Sequence, residues 1–130
     1  MYPLKILIVF LFSTFVRVHT FSAEVKDIFL TGNASRFEEL LKSNIELRID
    51  SENINYKTTK NEQATQILKI FFRKNPVKKL ELEELSNKSA FQKFYTGKYV
   101  TYDNQIYKIY IVSETIPNQT QLIEKIQLRN

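Results

Sequence analysis

The residues from Phe91 to Val112 form two β-rich runs on either side of Tyr102-Asp103-Asn104-Gln105, and their parity fixes what can face inward. A two-residue loop at Asp103-Asn104 would pair Tyr102 with Gln105. Lys108 would then share a face with Tyr99 and Lys98 a face with Ile109, leaving a lysine on each side. A three-residue loop, Asp103 to Gln105, instead pairs Tyr102 with Ile106. It sorts Tyr95, Gly97, Tyr99, Thr101, Tyr107, Ile109 and Ile111 onto one face and puts Lys98 and Lys108 together on the other. A slip of one residue exchanges the faces and would bury charge. The odd-length loop is therefore expected, with Asn104 or Gln105 taking positive φ.

An apolar hairpin face of this kind needs a cover, and Thr58 to Pro76 provides one. Thr59 and Glu62 form T-x-x-E, in which hydroxyl and carboxylate can satisfy free backbone N–H groups reciprocally, so Thr59 is the expected N-cap. Ala64, Ile67, Leu68, Phe71 and Phe72 then recur on one side of a 3.6-residue turn. Pro76 has no N–H and pushes Asn75 toward extended geometry, which ends the helix at or before Asn75.

The other elements follow from the same two periods. Val25, Ile28 and Phe29 predict a helix from about Ala23, closed at Gly32 in left-handed geometry. Asn33 is expected to cap a second helix bearing Phe37, Leu40 and Leu41, broken at Ser43-Asn44. Ile45, Leu47 and Ile49 alternate with charged residues in a half-buried strand, with a short partner through Ile54 and Tyr56. Leu80 and Leu82 mark another strand. In the last, Leu122, Ile126 and Leu128 share a face with Glu124, the one carboxylate that the alternation turns inward. Two or three helices against an antiparallel sheet of four to six strands is an α+β architecture.

At 130 residues the chain is sized for one domain. Residues 1–22 have a different grammar: Lys5, an unbroken apolar run from Ile6 to Val16, Arg17, then the small residues Thr20 and Ser22. That is the pattern of a secretory signal, too short for a convincing bilayer span. Cleavage is expected after Ser22, with Thr20 as the alternative, leaving residues 23–130 as a single exported domain, periplasmic or secreted. Removing Lys5 and Arg17 changes 19 basic residues to 17 against 14 acidic ones, so the mature charge is +3. The basic residues are dispersed, which argues against a nucleic-acid partner.

Cysteine is absent and the single histidine, His19, lies within the expected signal. Disulfides, thiolate nucleophiles, lipid attachment through an N-terminal cysteine, histidine triads and His or Cys metal sites are thereby excluded from the mature domain. No cofactor and no metal is expected. Asn33, Asn87 and Asn118 open N-x-S/T triplets, read here as incidental matches to the glycosylation pattern.

The succession GNASRFEELL, IELRI, NYKTTKNEQATQILKIFFRKNP, FYTGKYVTYDNQIYKIYIV and IEKIQLRN resembles a family of small secreted Bacteroidetes proteins catalogued as a domain of unknown function, with a nuclear transport factor two-like fold. The resemblance spans nearly the whole mature chain. It implies a strongly bent sheet that forms a cone with its helices, with the opening helix lying across it, often around an apolar cavity. It supplies no catalytic residues. Enzymes elsewhere in that superfamily use aspartate, histidine or tyrosine in the cavity, and here only inward tyrosines remain.

Two readings of the aromatic residues between Phe91 and Tyr110 stay open. They can be β-formers that pack across strands. Alternatively Leu68, Phe71, Phe72, Tyr95, Tyr99, Tyr107 and Ile109, with Glu124, line a pocket for a small apolar ligand. The functional expectation is an exported, non-enzymatic module that binds such a ligand, or a protein partner, in or near the cone; the sheet face would serve a homodimer or another protein. A lyase- or isomerase-like enzyme using pocket tyrosine and Glu124 is the alternative, since burial among apolar neighbours would raise the glutamate pKa. An enzyme needs polar groups that converge in one cavity; a module is compatible with a filled interior.

Overall fold

The computed structural model describes residues 20–85, 89, 91–117 and 120–130, so residues 1–19 of the expected 22-residue leader, and Asn87 and Asn118, lie outside the described residues. Helix α1 (Phe21–Thr31) is followed by a 3-10 helix, Ala34–Glu39, and by strand β1 (Leu41–Ile49). A 3-10 turn at Asp50–Glu52 leads to β2 (Ile54–Lys60) and helix α2 (Asn61–Lys74). Four strands complete the fold: β3 (Val77–Leu85), β4 (Gln92–Thr101), β5 (Ile106–Thr115) and β6 (Gln121–Arg129).

All six strands join one sheet in the order β2-β1-β6-β5-β4-β3. The expected antiparallel sheet is in fact mixed, because β1 and β6 run parallel at its centre. Alternation along a strand carries no information about neighbour direction, so pairing of the first and last strands lay beyond any local pattern. The helices cover one face, and their buried residues form a single cluster with the inward residues of the strands.

The hairpin sorts its faces as parity requires: Tyr95, Tyr99, Tyr107 and Ile109 are buried while Lys98 and Lys108 are exposed. Its loop sits one residue earlier than expected. Tyr99 pairs with Tyr107 and Val100 with Ile106, so the loop is Tyr102 to Asn104 rather than Asp103 to Gln105. The Asn104 N–H donates to the Thr101 carbonyl at 3.1 Å, the Thr101 N–H donates to the Gln105 carbonyl at 3.0 Å, and Asn104 has φ 64°. Thr101 draws the turn back: its hydroxyl donates to Asp103 and accepts from the Gln105 N–H. Both loops are odd in length, which is why the faces are unaffected.

Helix α2 buries Ala64, Leu68, Phe71 and Phe72 and ends at Lys74, as its stripe and Pro76 dictate. Its N-cap is Lys60, not Thr59. Thr59 is the last inward residue of β2, paired with Ile45, and its hydroxyl donates to the Gln63 side chain at 3.2 Å. The strand claims the threonine that the capping box would have used. The expected second helix likewise shrinks to one 3-10 stretch, Asn33 makes no side-chain cap, and Leu41 already belongs to β1. Helix α1 starts at Phe21, with the Ala23 N–H donating to the Thr20 hydroxyl at 3.2 Å, and closes at Gly32 with φ 71°.

Thr65 lies on the buried side of α2 with no partner for its hydroxyl among the described residues. A buried hydroxyl without a hydrogen bond is a net loss, and valine has the same branched shape. Thr65→Val is therefore expected to stabilise the protein by about 1 kcal/mol, read as an increase in denaturation midpoint at unchanged slope.

Candidate functional site

The inward aromatic residues converge, and they fill the space they enclose. Phe71 packs against Tyr107 at 5.0 Å between ring centroids and against Tyr99 at 5.5 Å; Phe72 lies 5.5 Å from Phe29, which in turn lies 5.6 Å from Phe37. Most of these contacts are edge-on or tilted, the geometry in which ring quadrupoles attract. Leu68, Phe71, Phe72, Tyr95, Tyr99, Tyr107 and Ile109 are none of them more than 6% exposed. The structure thus brings seven of the eight expected pocket residues onto one face, as core.

Their polar tips are engaged as well. Tyr99 donates to the Asn75 carbonyl and Tyr107 to the Asn75 side-chain oxygen at 3.4 Å, while the Asn75 amide donates back to the Phe71 carbonyl at 3.0 Å. Asn75 is the C-cap of α2, so both phenols fasten the end of that helix to the sheet. Tyr95 accepts from the Gln121 amide at 2.8 Å. Burial pushes the Tyr99 hydroxyl from 10.0 up to about 12, with Tyr107 adding to the effect, and burial raises Tyr95 too. A phenol whose folded value exceeds its unfolded value favours the fold below pH 10 and loses that contribution as pH rises through the folded value. Stability is accordingly expected to decline between about pH 10 and 12, and Tyr99→Phe should flatten the decline; denaturation midpoints across that range check it.

Glu124 departs from the expected pocket. In the β5–β6 ladder Val112 pairs with Lys125 and Ser113 with Ile123, which leaves Glu124 as an extra residue in a β-bulge. The bulge reverses parity: Ile123, Ile126 and Leu128 are buried, and the expected inward pair Leu122 and Glu124 is displaced outward. Glu124 therefore does not converge with the tyrosines. It accepts from the Gln92 amide at 2.7 Å and from Lys42 at 3.2 Å, and the same lysine donates to Glu114 at 2.6 Å. The Lys42 hydrogen bond holds Glu114 below the usual carboxylate range, and the Glu114 bond, opposed by desolvation and aided by Glu124, raises Lys42. These directions mean that both ions persist across neutral pH and serve as fixed struts.

Those struts border a groove of about 430 Å³ on the face of the sheet away from the helices. Phe94, Val112, Lys125 and Glu46 stand in register across β4, β5, β6 and β1, and Lys57 and Thr58 of β2 extend the row. Val112, 5% exposed, lies outside the core cluster and forms part of the floor. Phe94 and Tyr110 are half-buried and nearly parallel, 6.3 Å apart at 23°, and Lys125 lies 6.0 Å above the Tyr110 ring. Lys125 also pairs with Glu46 at 3.4 Å. None of the inward aromatics lines this groove. The residues that do were missed because outward aromatics at Phe94 and Tyr110 look like ordinary strand formers; the signal available was their shared even parity. A larger groove, about 610 Å³, lies where α1 meets β3, but no aromatic side chain borders it and its rim mixes lysines with glutamates. Among the described residues no group of three or more His, Cys, Asp or Glu could hold a metal ion.

The domain of unknown function DUF4783 matches residues 22–128. The chain belongs to the DUF4783 family. A DUF4783 protein from Bacteroides uniformis superposes with a TM-score of 0.72 at 18% identity, over 85% of this chain and 97% of that one. One from Bacteroides ovatus gives 0.68 at 18%, over 80% and 89%. A Parabacteroides distasonis protein whose structure bears a provisional ketosteroid isomerase name gives 0.60 at 12%, over 85% and 88%. At such identities the likeness concerns fold alone, and the fold is the nuclear transport factor two-like cone. No curated protein matches the chain. In this DUF4783 chain the inside of the cone is occupied by its own phenylalanines and tyrosines.

Proposed function

We propose that the protein is an exported, non-enzymatic binding module that works through the outer face of its sheet and not through the interior of the cone. The single observation that carries this reading is the division of side chains by the sheet: the aromatics expected to line a pocket pack against one another, while ordered ion pairs, amides and two parallel rings border an open groove behind them. The lyase- or isomerase-like alternative needs a tyrosine and Glu124 in one cavity, and the β6 bulge separates them. The test is a ligand-observed NMR screen with apolar, saccharide and peptide probes. Binders weakened by Phe94→Ala but untouched by Tyr99→Phe support the module; a binder lost only on changing Tyr99, or turnover of a probe, overturns it.

Export belongs to the same proposal and rests on the leader-like residues 1–22. Processing after Ser22 would remove Thr20, which caps α1, and Phe21, whose ring packs 5.8 Å from Tyr95. Fractionation with N-terminal sequencing of the processed form tests export, and recovery of the intact chain from the cytoplasm would count against it. Exposed Leu85, paired with Phe94 at the β3–β4 edge, also gives the outer face an apolar margin suited to a second copy or a protein partner. Sedimentation analysis identifies that use through a concentration-dependent mass that Phe94→Lys abolishes.

A further inference from the structure

We infer that the free edge of β3 is a self-association surface, on which a second copy of this chain adds its own β3 antiparallel about a two-fold axis at Glu81; the inference goes beyond the outer-face reading and does not depend on it. The first observation is the open edge. β3 ends the sheet with β4 as its strand neighbour, and among the described residues no turn or loop backbone hydrogen-bonds to it. A row of unpaired N–H and C=O groups is a template for another strand. Lys79, Glu81 and Glu83 along it are exposed.

The second observation is the order of residues on that edge. Val77–Leu85 reads VKKLELEEL, in which apolar residues mirror apolar ones about Glu81 and bases mirror acids. A two-fold interface sets residue i against j and j against i. Centred on Glu81, it places Lys79 opposite Glu83 of the second copy and Leu80 opposite its Leu82. The irregular step in β3 lies between Val77 and Lys79, at the margin of this match. Opposite charges that face each other across strands attract, and like charges repel. A slide of two residues one way opposes Glu81 to Glu83, and the other way leaves Glu83 opposite Val77. A slide of one residue sets inward side chains against outward ones. The two Glu81 side chains at the axis are the unfavourable pair. Each is offset within its own copy by Lys79 at 3.7 Å and by Lys98, its partner in the β3–β4 register.

The third observation is the contrast between the two edges. Leu30 of α1, 55% exposed, and half-buried Leu80 border the groove where α1 meets β3, so a strand added there covers apolar surface as well as backbone. The opposite edge offers neither feature of charge. β2 reads INYKTTK, with lysines and no acidic residue, so pairing with its own copy gains no ion pair. The match on β3 is to itself, and a self-complementary contact of this kind closes at two copies instead of propagating.

The experiment is sedimentation velocity of the purified protein across a concentration series, with Lys79→Glu, Glu83→Lys and the double variant that carries both. The parent protein is expected to pass from monomer to dimer, and either single reversal to weaken the dimer roughly tenfold or more. Mixing the two single variants should restore it, and so should the double variant alone, because in both cases unlike charges again face each other. Circular dichroism checks that each variant folds, and rescue on mixing separates lost charge matching from lost structure. A parent that stays monomeric throughout, a dimer indifferent to both reversals, mixing that restores nothing, or growth past the dimer overturns the inference. A dimer abolished by Phe94→Lys but kept by both reversals overturns it in favour of the outer face.

Discussion

Gly97→Ala is expected to destabilise the protein by about 3 kcal/mol or more, a fall in Tm on the order of 15 °C for a domain of this size. A Cβ built on Gly97 would lie 1.9 Å from the Glu81 carbonyl oxygen, 2.8 Å from its carbon and 2.9 Å from the Leu82 Cα. All three are backbone atoms of β3, so no side-chain rotation relieves the overlap. Gly97 pairs with Leu82 on one side and Ile109 on the other, and both are core residues. Accommodating one methyl group therefore means moving β3 away from β4 and opening the edge of the core. Gly32→Ala makes the comparison. There the added carbon would meet Phe72 Cβ at an ordinary 3.6 Å, and only the left-handed backbone at φ 71° resists, at about 1 to 2 kcal/mol. Thermal and chemical denaturation of the two variants should rank Gly97 well above Gly32; equal effects would mean that β3 yields easily.

Phe71→Ala is the second large effect, with an expected loss of about 4 kcal/mol. Phe71 is 1% exposed and touches the rings of Phe72, Tyr99 and Tyr107, so truncation removes transfer free energy and leaves a cavity that rigid neighbours cannot collapse. The variant also tests the filled cone. A dry cavity of this kind takes up benzene-sized guests, so benzene should raise the Tm of Phe71→Ala and leave that of the parent protein unchanged. A parent protein that responds to benzene as strongly as the variant would show that the interior already has room, and the case for the outer face would weaken accordingly.

Particular residues show how far local pattern reached into the site. Leu68, Phe71 and Phe72 could be placed on one side of a helix, and Tyr95, Tyr99, Tyr107 and Ile109 on one side of a hairpin, because helix and strand periods are properties of consecutive residues. That these two sides would meet was legible from charge alone, since both have lysines behind them. Whether they would meet around a space or around nothing was not, because a void of a few methyl groups depends on rotamers and on the approach of elements far apart in the chain. Glu124 marks the other boundary. Strict alternation puts it inward, and one extra residue opposite the Val112–Ser113 step puts it outward. A bulge is a relation between two strands, so a single strand cannot announce it.

Thr59 makes the same point at a helix end. The T-x-x-E signal is real chemistry, yet β2 extends to Lys60 and pairs Thr59 with Ile45, and burial of that threonine in the sheet outweighs its use as a cap. The asparagine at the hairpin shows the opposite balance: Asn104 takes positive φ as expected, although a threonine hydroxyl moved the loop by one position.

From the order of residues alone came the α+β class, both long elements of the core, the separation of tyrosines from lysines in the hairpin, and the exclusion of thiol and imidazole chemistry after His19. These follow from side-chain period and residue type, which are local and additive. Only the folded chain decided that β1 and β6 lie side by side and parallel, that the cone closes on its own rings, and that Phe94, Tyr110 and the struts around Glu124 stand along one groove. Those outcomes depend on contacts between segments as much as eighty residues apart, for example Lys42 with Glu124, where a bulge or the missing side chain of a single glycine changes which atoms can touch.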